Sequence, residues 1–184
     1  QMGNTGWGWD DVLPLFKRAE DYVDGPSEMH GVGGEWHVDN QRLHWDVLDD
    51  WMAAAQAAGI KRTTDFNTGD NEGVGYFKVN QNKGWRLNTA KAFLRPVKDA
   101  KLKIEVHAHT NRLLVESGRV VGVEYTQHGQ VKQARAAAEV VLSAGAVNSP
   151  KILQLSGIGP GAVLQKYGIE TLHEAPGVGS NLQD

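Results

Sequence analysis

The sequence predicts a mixed α/β (α+β) fold built in two parts, and three stretches predict it. Glu139 to Gly159, EVVLSAGAVNSPKILQLSGIG, opens with the apolar run Val140-Val141-Leu142 and breaks at the small residues Ser143 to Ala146. It then continues as a helix, so a buried strand, a tight turn and a helix N-terminus follow one another. Residues 102–134 alternate apolar and polar side chains between short turns, the pattern of an antiparallel meander. In residues 45–58, Leu48, Trp51, Met52, Ala55 and Ala58 recur at helical spacing, with Gly59 at the C-terminal cap.

A chain of 184 residues can bury one core or parts of two. A net charge of −3 with 22% charged residues gives no basic surface for nucleic acid or an anionic membrane. Without cysteine there is neither a disulfide framework nor a thiolate metal centre. No apolar run reaches the roughly 20 residues needed to span a bilayer. Gln1-Met2-Gly3 lacks the pattern of a leader, and Val178 to Asp184 stops in mid-motif, so the chain reads as an internal piece of a longer polypeptide.

Taken in order, Asp10 and Asp11 place acid at a helix start, followed by the apolar residues Val12, Leu13, Leu15 and Phe16. Pro14 is expected in the first turn, and Trp7 and Trp9 as packing anchors. Gly25 to Gly34 is a polar loop around His30, which is expected to be solvated because no second ligand-type residue stands at metal spacing. Glu35 to Val38 reads as a short strand. In the helix over 45–58, the Trp and Met stripe is expected in the core, with Asp46, Asp49 and Asp50 toward solvent.

Asp65 to Asn82 is a turn-rich stretch leading into a strand from Val74 to Val79, and Asp65, Asp70 and Glu72 lack the spacing of a calcium loop. Arg86 reads as a surface ion-pair residue, and Asn88 or Thr89 caps a short helix through Phe93 and Leu94 that Pro96 stops. Leu102, Ile104 and Val106 form a half-exposed strand. His107 and His109, two residues apart, share a strand face and serve packing. Leu113 to Val115 and Val120 to Tyr125 form a hairpin, and Gly129 turns into Val131 to Ala134. Ser149 is the expected N-cap of the last helix, with Pro150 at its first position and Ser156 to Pro160 ending it. The corner at Ser143 to Ala146 can accept a nucleotide or phosphate, and it can equally be a bare structural turn.

GAVNSPKILQLSGIG, residues 145–159, resembles the second signature of the glucose–methanol–choline (GMC) oxidoreductases. GW-x-x-DDVLPxFKRAE near the start and DFN-x-GDNEGVGYFKVNQ-x-x-G-x-R-x-x-x-AKAFLRP over residues 65–96 resemble the same family, so the resemblance covers almost the whole chain. It implies part of a glutathione-reductase-like FAD-binding domain over residues 101–184, including the meander, and part of the substrate domain over residues 1–100.

By that resemblance the cofactor is FAD, with Thr110 meeting the adenine through its backbone and Ala144 and Gly145 near the adenosine or pyrophosphate. Either Tyr76 or Phe77 lines the alcohol pocket, in a register that the sequence leaves open. The activity implied is oxidation of a primary alcohol, choline or an aliphatic one, to the aldehyde. The partners implied are the small alcohol and an electron acceptor, oxygen or a quinone, and the setting is cytoplasmic or at the inner face of a bacterial membrane. The family's nucleotide fingerprint and catalytic His pair match no residues here, so no catalytic residue is assigned; the piece alone is expected to be inactive and, with uncovered apolar surface, to self-associate. Two other readings stand beside this one: a non-catalytic binding module, and a flavin relative such as a lyase or photodecarboxylase.

Overall fold

A computed structural model describes residues 3–98 and 101–183. The chain divides into two compact units, Gln1–Leu102 and Lys103–Asp184.

In the first unit, helix α1 (Trp9–Ala19) leads into strand β1 (Glu20–Tyr22), which pairs in parallel with β2 (Trp36–Val38). Asp11 returns its carboxylate to the Gly8 N–H at 3.0 Å, so the acidic start of α1 caps its own helix. Pro14 lies one turn further in than expected, because α1 starts at Trp9. The anchoring role expected of Trp7 and Trp9 fails: they are 79% and 60% exposed, and no residue of α1 is buried. The loop between β1 and β2 passes so close to α1 that a side chain at Gly31 would overlap the Lys17 carbonyl, which explains the glycine there.

Helix α2 (Asp46–Ala57) forms where its apolar period places it. Met52 is buried as expected, but Trp51 is 62% exposed, so only one member of the expected core stripe is covered. The strand expected over Val74 to Val79 does not form as a ladder. Isolated bridges at its two ends, Arg62 with Val74 and Asp39 with Val79, replace it. A two-residue hairpin follows, β3 (Gln81–Asn82) with β4 (Trp85–Arg86), and then one turn of π-helix, Ala90–Leu94. Asn88 accepts the Lys91 N–H at 2.9 Å and caps that turn. Among the described residues, no ion pair involves the Arg86 side chain, against the surface pairing expected of it. Tyr22, Met52, Val74 and Ala92 are the buried apolar residues of this unit.

The second unit is built on a three-stranded antiparallel meander, β5 (Ala108–Glu116), β6 (Arg119–Gln127) and β7 (Gln130–Arg135). Ser117-Gly118 and His128-Gly129 turn the chain with positive φ at all four residues, the twist that suits two-residue hairpins. The strand expected from Leu102 to Val106 is absent, and these residues are largely exposed. His107 does not share a strand face with His109, since it sits in a left-handed bend before β5.

Val140 to Leu142 form no strand either, and Val141 is 77% exposed. In both cases the apolar pattern is present, but no described strand lies alongside to supply ladder hydrogen bonds. Helix α3 (Gly145–Leu155) packs against β5, followed by β8 (Ile158–Gly159), α4 (Gly161–Lys166) and β9 (His173–Glu174), with β8 and β9 parallel. Leu113, Ile152 and Leu164 are the buried apolar residues here.

Candidate functional site

The nucleotide corner lies at the start of α3. The helix begins four residues before the expected N-cap: Ala144 takes that position, and Ser149 and Pro150 lie within the helix. Ser149 still serves the helix start, because its hydroxyl accepts the Ala144 N–H at 2.9 Å. Gly145 has φ +86, and nothing lies within 4 Å of the place a β-carbon would take. The Gly145 backbone is therefore uncovered on the side where a side chain would stand. Such a surface fits the adenosine or pyrophosphate part of FAD.

Val147 beside it is 70% exposed, and Ala146, Pro150 and Lys151 line a cavity of about 330 Å³ with Gly179 and Ser180. Gln154 Nε2 donates to the Val178 carbonyl at 3.1 Å and ties the 178–182 segment to α3. Thr110 lies in β5, half-buried and opposite Tyr125, immediately before a bulge at Asn111. The second unit thus holds all three residues expected at the cofactor, two of them adjacent at the start of the helix that packs on the strand of the third.

Tyr76 and Phe77 lie in the first unit. With no strand there to alternate them, both line one cavity of about 350 Å³, together with Asp24, Asn40, His44 and Thr63. Tyr76 donates its hydroxyl to Asp49 at 3.0 Å and meets His44 edge-on, ring centroids 4.8 Å apart. Burial, then that carboxylate, push the Tyr76 hydroxyl above its ordinary value. Phe77 is 67% exposed and stacks on Phe66 at 4.7 Å.

His30 is the residue that the sequence misassigned. It is 5% exposed rather than solvated. Nδ1 stands 2.9 Å from Glu20 Oε2 and Nε2 2.9 Å from Asp65 Oδ2, while the ring stacks on Tyr22 with centroids 3.7 Å apart. Glu20 also accepts the Gly31 N–H at 3.0 Å. Serving both carboxylates takes two N–H donors, the imidazolium, or a proton left on one carboxyl.

Burial pushes Asp65 up, but the Asn67 N–H, the Tyr22 hydroxyl and His30 outweigh it and hold the carboxyl below its usual range. Tyr22 is pushed well up, by burial first and by Asp65 next. Its hydroxyl is buried beside that carboxylate without a hydrogen bond of ordinary geometry. His30 and Glu20 form one wall of an apolar cavity of about 510 Å³ with Trp9, Phe16, Trp36 and Phe93. The partners of His30 lie 10 and 35 residues away, so no local spacing signals them. The one clue in the sequence is the density of glycine around it. Among the described residues, no group of three or more His, Asp or Glu could hold a metal ion, and no helix is long and apolar enough to cross a membrane.

The family model for GMC oxidoreductases matches residues 1–184. An oxygen-dependent choline dehydrogenase of Rhizobium rhizogenes is 38% identical over 184 residues, covering all of this chain and 34% of that protein. A chloroplastic fatty acid photodecarboxylase of Chlamydomonas reinhardtii is 38% identical over 193 residues, covering 99% of this chain and 32% of that protein. The solved structure of an FAD-dependent oxidoreductase from Chaetomium thermophilum superposes with a TM-score of 0.88 at 27% identity, over 99% of this chain and 34% of that one. The chain spans about a third of the length of these relatives. A match over every residue makes the chain a member of the GMC oxidoreductases, flavoproteins whose cofactor is FAD.

Proposed function

We propose that this chain is the part of an FAD-dependent alcohol dehydrogenase that contributes one half of the cofactor domain, residues 101–184, and a substrate-facing segment, residues 1–100. The observation that carries the reading is the open backbone at Gly145, next to Ala144, on a chain that matches its family from end to end. Gly145 and Ala144 hold the adenosine or pyrophosphate part of FAD, and Thr110 meets the adenine through its backbone. FAD held there would supply the two-electron acceptor for oxidation of the alcohol.

Tyr76 and Phe77 wall the alcohol cavity, and the bond from Tyr76 to Asp49 fixes its ring. The substrate is a primary alcohol, choline or an aliphatic one, and the final acceptor is oxygen or a quinone. Trp7, Trp9 and Phe16, all exposed, would make the chain self-associate when nothing covers them. A flavin reaction other than alcohol oxidation is the second reading, favoured by the 38% identity to a photodecarboxylase.

The test is the anaerobic visible spectrum of the full-length polypeptide that carries this chain, before and after adding choline. Bleaching of the yellow band supports alcohol oxidation with choline as substrate. A yellow protein that choline leaves unchanged, but a medium-chain alcohol bleaches, keeps the reaction and changes the substrate. A yellow protein that no alcohol bleaches overturns the reading in favour of other flavin chemistry, and a colourless one in favour of a binding module.

A further inference from the structure

The cavity between β2 and the β3–β4 hairpin, about 870 Å³, has an unusual charge balance. Arg42, Lys78 and Arg86 line it, and among the described residues no carboxylate does. Lys78 is already compensated: its ammonium is almost buried, paired with Asp24 and bonded to Asn40 Oδ1 at 2.7 Å. Of the two arginines, one is compensated only loosely and the other not at all among the described residues. Arg42 Nη2 reaches Asp39 only at 4.0 Å, and its side chain is 59% exposed. It lies over the hairpin turn, with Nη1 3.4 Å from where a β-carbon on Gly84 would stand. Arg86, two residues past that turn, is exposed and outside every ion pair among the described residues.

Two arginines lining one concave surface, one held only loosely by Asp39 and one outside every ion pair among the described residues, make an anion site, since each guanidinium fork matches a pair of oxyanion oxygens. Asn88 and Thr89 add polar groups to the wall, and Trp36, Leu43 and Leu87 add an apolar one. The space exceeds what an inorganic ion fills, so the apolar side takes the body of a larger ligand.

We propose that Arg42 and Arg86 form a binding site for an organic phosphate monoester, its dianionic group held between the two guanidinium groups and its apolar body against Trp36. The site goes beyond the alcohol-oxidising reading and does not rest on it. No bond is made or broken, so the site is one of binding alone.

The test is protection of the wild-type protein from arginine modification by phenylglyoxal, mapped residue by residue by mass spectrometry with phenyl phosphate as the probe. Phenyl phosphate should protect Arg42 and Arg86 with one common half-saturation, and leave Arg119 and the Glu124-paired Arg112 unchanged. Calorimetric titration of an Arg42→Gln, Arg86→Gln double variant should then show affinity weakened about tenfold or more, since both forks are gone. No protection, or equal protection of every arginine, overturns the site. Protection by benzoate as effective as by phenyl phosphate overturns the assignment to a dianion. The protection readout needs no variant, so it stands even where the double variant fails to fold.

Discussion

His30 Nε2 stands 2.9 Å from Asp65 Oδ2, so one buried imidazole joins the loop before β2 to a turn 35 residues further on. Removing it is expected to cost far more than an average loop substitution. In His30→Ala the Glu20 and Asp65 carboxyl groups stay largely buried without the imidazole they share, and Tyr22 loses its stacking partner. Breaking such a pair from one side typically costs about 3–5 kcal/mol. Urea unfolding measures it, and Asp65→Asn in the His30→Ala background should return part of the loss. A loss of less than about 1 kcal/mol, the range of an exposed pair, would show the cluster to be solvated after all.

Acid should weaken the same cluster. Asp65 is held below its ordinary value of 3.8, so its unfolded form binds protons more readily than its folded form. Its contribution to stability is then fully present above the unfolded value and is lost as pH falls through the folded one. The difference in unfolding free energy between the wild type and Asp65→Asn, followed from neutral pH into acid, should shrink over that window. A difference that grows on acidification would contradict the assigned direction.

What the sequence made legible was the local part of this architecture. Helix α2 and the two turns of the meander depend on near neighbours, an apolar period with Gly59 beyond it and the pairs Ser117-Gly118 and His128-Gly129, and they form where they were expected. Val74 to Val79, Leu102 to Val106 and Val140 to Leu142 carry strand composition without strand structure, because a strand needs a partner that its own residues cannot specify. The site divides in the same way. Gly145 announced itself as a glycine in a small-residue corner, whereas His30 gave no sign of partners brought in by tertiary folding.

Gly145→Ala separates the backbone requirement from the steric one. At φ +86 a β-carbon is strained by about 1–2 kcal/mol, and the open space around it adds no clash. Urea unfolding should register a loss of that size. FAD content per polypeptide, read from the flavin absorbance of the full-length protein, should fall by more than such a loss explains, because the added methyl covers the backbone proposed to face the cofactor. Unchanged FAD content in a folded variant would remove Gly145 from the cofactor site.

Ser156→Ala tests how α3 is fastened to β5. The Ser156 hydroxyl accepts the Leu113 N–H at 2.8 Å and donates to the Ile152 carbonyl at 2.5 Å, and both Ser156 and Leu113 are buried. Alanine keeps the packing almost intact but strands the Leu113 N–H away from water. A buried donor left unsatisfied costs about 1–3 kcal/mol, more than a lost surface hydrogen bond. The Ile152 carbonyl is less affected, since the Ser156 backbone N–H also bonds it at 3.1 Å. Hydrogen exchange resolves the two: the Leu113 amide should lose protection while amides of the β5–β6 ladder beyond it keep theirs. If protection falls evenly across the second unit, the hydroxyl contributes only to global stability, and the local fastening of helix to sheet lies in the apolar packing of α3 on β5.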